Sequence, residues 1–137
     1  VIAATDNSEL NRRIYEDCQE LEILCNVVDQ PQLCDFFVPA VVKRGNLQIA
    51  ISTEGQCPAY SGHLRQKLEE LFTETHGRFV DELAKARSRI LEAVPDGDRR
   101  KALLGQLASD ESFEYFTAHG PEQWRHHADN QIQGPLL

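Results

Sequence analysis

The sequence predicts an α/β plus α chain: the carboxy-terminal part of a doubly wound parallel sheet, a β-hairpin, and then a small helical domain. Three observations carry this. Two short apolar runs flank an amphipathic helical stretch near the amino end. Two strand-like runs then face each other across a turn containing Gly45 and Asn46. From Pro58 onward, apolar residues recur at helical spacing.

The first run, Val1-Ile2-Ala3-Ala4, has the unbroken apolar character of a buried parallel strand, and Thr5-Asp6-Asn7-Ser8 supplies turn and N-cap chemistry. In the helix that follows, Leu10, Ile14, Cys18 and Leu21 fall on one face, with Arg12, Arg13, Glu16, Asp17 and Glu20 on the other. Ile23-Leu24-Cys25-Asn26-Val27-Val28 is the second strand, stopped at Asp29-Gln30-Pro31 because proline has no N–H to continue a ladder. Strand, helix, strand in this order implies a right-handed parallel crossover.

Residues 36–42 and 47–52 form the hairpin strands around Lys43-Arg44-Gly45-Asn46, with Pro39 at an edge or bulge. Beyond them, Leu64, Leu68, Leu71 and Phe72 mark one helical face, and Phe79, Leu83, Ile90, Leu91 and Val94 a second. Pro95-Asp96-Gly97-Asp98 breaks that run. Leu103, Leu104 and Leu107 mark a third segment, and Ser109 or Asp110 caps a short helix bearing Phe113 and Phe116. Gly120-Pro121 restarts a last helix through Trp124, since proline suits a first helical position, and the tail after Asn130 is expected to fray. The implied segments are residues 1–35, 36–57 and 58–137, with the change from α/β to helical near Gly55 to Pro58.

Composition narrows the function classes. A hydrophobic content of 41% is enough for a core, while a net charge of −8 without a Lys/Arg cluster argues against nucleic-acid binding. The basic stretch Arg99-Arg100-Lys101 follows Asp96 and Asp98 and reads as a helix flank. No apolar run approaches the roughly 18–20 residues that span a bilayer, and no secretion-signal profile opens the chain. The expectation is a soluble cytoplasmic protein with no membrane partner. Cys18, Cys25, Cys34 and Cys57 show no CxxC spacing and read as buried reduced thiols. His63, His76, His119, His126 and His127 include no HExxH and no helical i, i+4 pair, so no resident metal is expected. The chain opens at Val1 directly inside an apolar run, as a chain cut within a domain would.

In an open α/β sheet, ligands bind beyond the carboxyl ends of the strands. The candidates there are Thr5, Asp6 and Asn7 after the first strand and Asp29 after the second. All four also make ordinary turn, cap or strand-exit residues.

A succession of motifs narrows the choice: Val1-Ile2-Ala3-Ala4-Thr5-Asp6-Asn7, Leu10-Asn11, Cys25-Asn26-Val27-Val28-Asp29, Phe36-Phe37-Val38-Pro39-Ala40, Leu47-Gln48-Ile49-Ala50-Ile51-Ser52-Thr53 and Leu64-Arg65-Gln66-Lys67-Leu68-Glu69. In this order and spacing they resemble the dehydrogenase/chelatase module of the siroheme synthase family over about the first half of the chain; the helical remainder matches in architecture only. The resemblance implies a Rossmann-like NAD-binding domain lacking its front half. It implies oxidation of precorrin-2 to sirohydrochlorin with NAD⁺, and possession or lack of a second step inserting ferrous iron, which is a substrate and not a held cofactor. It assigns Asp29 as general base, its acidity tuned by burial at the strand end. Thr5 and Asp6 then line the nicotinamide side, residues 36–53 form a homodimer contact, and the helical domain closes over the tetrapyrrole. Thr53, Lys43, Arg44 and Arg65 become candidates for contacting the carboxylate-rich substrate.

Three departures stand out. Where the family carries two serines and then glycines, this chain has Ser52-Thr53-Glu54-Gly55, so Thr53 keeps a hydroxyl while Glu54 adds bulk and charge. Gly62 stands where a basic residue is common. The glycine-rich turn that cradles a dinucleotide pyrophosphate is absent, so this polypeptide alone is expected neither to hold NAD tightly nor to turn over. The alternatives are a dimerisation and substrate-docking module without activity of its own, and a dehydrogenase that leaves chelation to another protein.

Overall fold

A computed structural model gives the structure, described for residues 1–134. The chain divides into two compact units: residues 1–42 with 49–68, and residues 43–48 with the chain from Glu69 onward. The hairpin tip thus belongs to the second unit.

In the first unit, strand β1 (Ile2–Ala3) leads to helix α1 (Ser8–Glu20) and then to strand β2 (Asn26–Val27). The two strands pair in parallel, Ile2 opposite Asn26 and Ala3 opposite Val27. Asn7 is the N-cap: its side-chain oxygen accepts from the amides of Glu9 and Leu10 at 3.0 Å each. The inward face of α1 is only partly the one expected, with Cys18 and Ile14 turned to the core as predicted. Asn11 and Cys18 are buried and Ile14 and Tyr15 half-buried, whereas Leu10 and Leu21 are exposed. Ala3, Cys18, Cys25, Val27 and Leu33 form the small core.

The second strand is shorter than its apolar run because the backbone before it is used elsewhere. Ile23 N donates to Cys18 O as α1 ends, and both polar groups of Cys25 go to Asp35, whose carboxylate accepts from Cys25 N at 2.8 Å and whose amide donates to Cys25 O. After one 3₁₀ turn, Pro31–Leu33, the chain enters β3 (Ala40–Arg44), which pairs with β4 (Leu47–Ile51). The ladder begins only after Pro39, which has no N–H to contribute. Gly45 opens the two-residue turn at φ 56°, the left-handed position that glycine takes in such hairpins. Helix α2 (Pro58–Leu71) follows.

The second unit is built on α3 (Glu74–Ala93), α4 (Gly97–Leu107) and α5 (Asp110–Gln133). The breaks fall where expected: Asp96 caps α4, Ser109 caps α5, and α5 is interrupted at Gly120 (φ 81°) before Pro121 resumes it. Trp124 is fully buried, edge-on to Phe79 at 5.5 Å and to Phe116 at 6.2 Å, and its indole N–H donates to Ser112 Oγ at 2.9 Å. Two ion pairs tie α3 to α5: buried Glu82 with Arg125 at 3.0 Å and Arg89 with Asp129 at 2.5 Å. The expected fraying after Asn130 does not occur through Gln133. Ile132 is buried in the core, and Arg99 Nη2 donates to the carbonyls of Ile132 and Gly134. The rest of that tail, residues 135–137, lies outside the described residues.

All four cysteines are free, but their environments differ from a uniform buried set: Cys18 and Cys25 are buried, Cys34 is half-buried and Cys57 is exposed. Burial, reinforced by a hydrogen bond with Cys18, raises the Cys25 thiol above its ordinary value of 9.0. Alkylation of the native protein at pH 8 is expected to label Cys57 first and to spare Cys25 until unfolding, read by peptide mass spectrometry. Because the folded-state pKa is raised, the contribution of neutral Cys25 is intact below pH 9 and is lost as pH rises through the folded value.

Gly77 in α3 lies against the hairpin tip, where a Cβ would come within 2.5 Å of the Arg44 carbonyl oxygen. Gly77→Ala is therefore expected to lower stability by about 1–3 kcal/mol in a denaturant melt. Helix propensity alone predicts a gain of roughly 1 kcal/mol, so the two effects differ in sign.

Candidate functional site

A cleft of about 600 Å³ opens in the first unit beyond the carboxyl end of β2. One wall is the loop that follows β2; the other is the end of β4 with the start of α2. The volume lies within the range of small-molecule sites. Among the described residues that line the cleft, Asp29 is the charged one.

Asp29 sits at φ 61°, and Gln30 N donates back to Val27 O at 3.2 Å, so Val27–Gln30 forms a turn with Asp29 in the position that favours glycine or asparagine. The left-handed backbone costs an aspartate about 1–2 kcal/mol, and such strain collects at functional sites. Side chains fix the turn. Buried Asn26 donates from Nδ2 to Phe36 O at 2.8 Å and to Cys34 Sγ at 3.4 Å, and Cys34 Sγ donates toward Val27 O and Gln30 O. The expected burial of Asp29 is corrected: the residue is exposed to solvent at the cleft, because the turn carries it beyond the strand.

On the facing wall, Ser52 Oγ accepts from Glu54 N, and Thr53 Oγ1 accepts from Cys57 N at 3.1 Å. Ser61, 6% exposed, places its hydroxyl 3.3 Å from Thr53 Oγ1. Glu54 and Gly55 both take positive φ, 51° and 75°, which explains why glycines suit this loop and makes Glu54 a strained substitute for one. Gly55 packs its bare Cα against the Phe37 ring, where a Cβ would collide. An added side chain at Gly62 would meet open space.

The other predicted residues fall elsewhere. Thr5 and Asp6 occupy the β1–α1 loop and are exposed. The Thr5 hydroxyl donates to Asn11 Oδ1 at 2.7 Å and accepts from Asn7 N, so it retains acceptor capacity alone. The first amides of α1 are already satisfied by Asn7, and that helix end is not a pyrophosphate cradle. The residues present therefore do not fit the phosphates of a dinucleotide, while Thr5 keeps one acceptor position open.

Lys43 and Arg44 belong to the second unit, outside the residues that line the cleft. Lys43 is exposed. Arg44 is corrected from a candidate substrate cation to a strut: Nε donates to Phe72 O at 2.8 Å, Nη2 to Glu69 O at 3.0 Å and Nη1 to Lys43 O, with Glu74 within 3.6 Å. Arg65, on α2, is half-buried and engaged within the protein.

Three residues that organise the loops of the first unit carried no assigned role in the sequence: Asn11, Asp35 and Ser61. Asn11 could have been found, because it shares the helical face of Ile14 and Cys18 and so is a polar residue at a core position. Asp35 and Ser61 had no such signal. Among the described residues no group of three His, Cys, Asp or Glu side chains is placed to hold a metal, and no helix is long and apolar enough to cross a membrane.

Comparison with known proteins bears out the resemblance. Residues 1–40 match a family model described as "Putative NAD(P)-binding", and residues 44–71 match one for the central part of a sirohaem biosynthesis protein. Siroheme synthase 1 of Aeromonas hydrophila is 36% identical over 123 residues, covering 90% of this chain and 26% of that protein. Siroheme synthase of Actinobacillus pleuropneumoniae is 32% identical over 140 residues, covering 100% of this chain and 29% of that protein. The chain thus spans little more than a quarter of these relatives, and similarity reaches into the helical half where only architecture was expected to match. The fold is that of a solved precorrin-2 dehydrogenase, SirC: the TM-score is 0.74 at 20% identity, covering 94% of this chain and 62% of that one.

The carbonyls that Arg44 satisfies lie at the end of α2, where a helix has no partners of its own. Arg44→Ala is expected to cost about 1–3 kcal/mol of stability, measured by chemical denaturation, and Arg44→Lys to recover only part of it because an ammonium cannot span both carbonyls.

Proposed function

We propose that this relative of the siroheme synthases serves siroheme biosynthesis as the part of a precorrin-2 dehydrogenase that carries the catalytic base. The observation that carries the reading is Asp29: a carboxylate held in left-handed backbone at a strand's carboxyl end, the charged residue of a cleft otherwise lined by apolar and neutral polar groups. Oxidation of precorrin-2 removes a hydride and a proton. NAD⁺ supplies the hydride acceptor when bound. Asp29 takes the proton, and its exposure at the cleft lets it pass that proton on to solvent.

Thr5 and Asp6 would hold the nicotinamide end, Thr5 through its remaining acceptor position toward the carboxamide N–H. Thr53 lies on the opposite wall and contacts substrate there. Lys43 and Arg65 are offered as cations for substrate carboxylates on the family resemblance alone, since neither lines the cleft. Ferrous iron insertion is a second step that the same carboxylate can serve, by accepting a pyrrole proton as the metal enters. The protein works as a cytoplasmic homodimer through the hairpin, in keeping with free thiols and with exposed Val38 and Val41.

Asp29→Asn keeps the size and the turn preference of the side chain but cannot accept the proton. It is expected to reduce precorrin-2 oxidation by the intact protein at least about a hundredfold, followed as NADH formation, with an unchanged melting temperature. Full activity in this variant removes Asp29 from the chemistry.

A further inference from the structure

The cleft wall formed by β4 and α2 contains two hydroxyls whose hydrogen-bond directions are fixed by their surroundings. Cys57 N can only donate, so Thr53 Oγ1 accepts from it at 3.1 Å. Ser61 Oγ lies 3.3 Å from the same oxygen, and one of the two hydroxyls donates to the other. Ser61 is 6% exposed, and Thr53 Oγ1 is the one partner of its hydroxyl among the described residues. The carbonyl one helical turn back, Cys57 O, already accepts from the amides of Tyr60 and Ser61. Ser61 lines the cleft but is only 6% exposed, so were Thr53 the donor, the Ser61 proton would have no protein acceptor among the described residues and little access to solvent, at a cost of up to about 1–3 kcal/mol. Ser61 therefore donates.

That choice sets the character of Thr53. A hydroxyl has two acceptor positions and one proton. Both acceptor positions are filled, by Cys57 N–H and by Ser61 O–H, which leaves the Thr53 proton, and Thr53 is half-buried on the wall of the cleft. Resting on the tetrapyrrole reading above, we infer that Ser61 is a positioning residue that makes Thr53 a one-way hydrogen-bond donor into the cleft, selecting an anionic oxygen, a substrate carboxylate, over an N–H group. Asp29 on the facing loop has the opposite polarity and accepts. The two walls thus read the two kinds of polar edge on an acidic tetrapyrrole, its carboxylate arms and its pyrrole N–H groups. This also supplies recognition of a carboxylate in a cleft whose lining contains no Lys or Arg among the described residues.

The test is a double-mutant cycle in the intact protein, using sirohydrochlorin as probe and its visible absorbance as readout, with the steady-state constants for precorrin-2 oxidation measured in parallel. Thr53→Val is expected to weaken sirohydrochlorin binding about tenfold, as loss of one donor to a charged acceptor does. Ser61→Ala is expected to weaken it about threefold to fivefold, since the freed Thr53 proton then samples other directions. Both changes raise KM and leave kcat within about twofold. Thr53→Ser restores binding, and the double variant binds no worse than Thr53→Val alone. Additive losses, or a Ser61→Ala effect on melting temperature with none on binding, overturn the inference while leaving the dehydrogenase reading intact. Failure of the unaltered protein to bind sirohydrochlorin overturns that reading, and the subsite falls with it.

Discussion

The first unit depends on polar side chains completing a backbone ladder that two short strands cannot complete themselves. With β1 and β2 contributing two residues each, most peptide groups around the strand ends need other partners. Asp35 takes both groups of Cys25, Asn26 reaches across to Phe36 O, and Asn11 closes the loop after β1 through Thr5. These bonds bring the chain back on itself directly after β2. The reversal puts Asp29 in left-handed backbone at the cleft, with a conformation that the local sequence does not favour and the surrounding network imposes.

The second unit rests on a different principle. Its stability lies in an apolar core around Trp124, Ile90 and Leu107, with aromatic edges meeting faces and one indole hydrogen bond to Ser112. Buried Glu82 is tolerated because two cations, Lys85 at 2.8 Å and Arg125 at 3.0 Å, share it. His76 is likewise structural: its Nδ1 accepts from Thr73 N as α3 begins, and its ring stacks near Phe113. Of the histidines on α5, His119 and His127 flank Tyr115 at 4.2 and 4.9 Å. These contacts give three of the five histidines packing roles that spacing along the sequence did not reveal.

The cleft combines an exposed acceptor on a strained turn with hydroxyls oriented by a buried helix residue. Its polar groups are neutral apart from Asp29, so discrimination here comes from hydrogen-bond direction more than from charge. The departures from the family pattern are legible in the same geometry. Glu54 sits where a positive φ favours glycine, and Gly62 leaves open space where the resemblance led to a basic side chain being expected.

The sequence by itself determined the order of elements, the parallel crossover, the Gly45 turn, the breaks at Asp96 and Gly120, and the choice of Asp29 as the residue to examine, because each rests on near-neighbour rules of periodicity, capping and proline or glycine geometry. Tertiary structure decided the rest. Leu10 and Leu21 point away from the core that Asn11 enters, Arg44 is spent on carbonyls 25 and 28 residues away along the chain, and Asp29 is exposed when a buried base was expected. Ser61 acquires meaning only through Thr53, eight residues earlier. In each case the deciding partner is distant in sequence or set by loop closure, and a pattern read along one chain carries no information about which polar group will be left needing it.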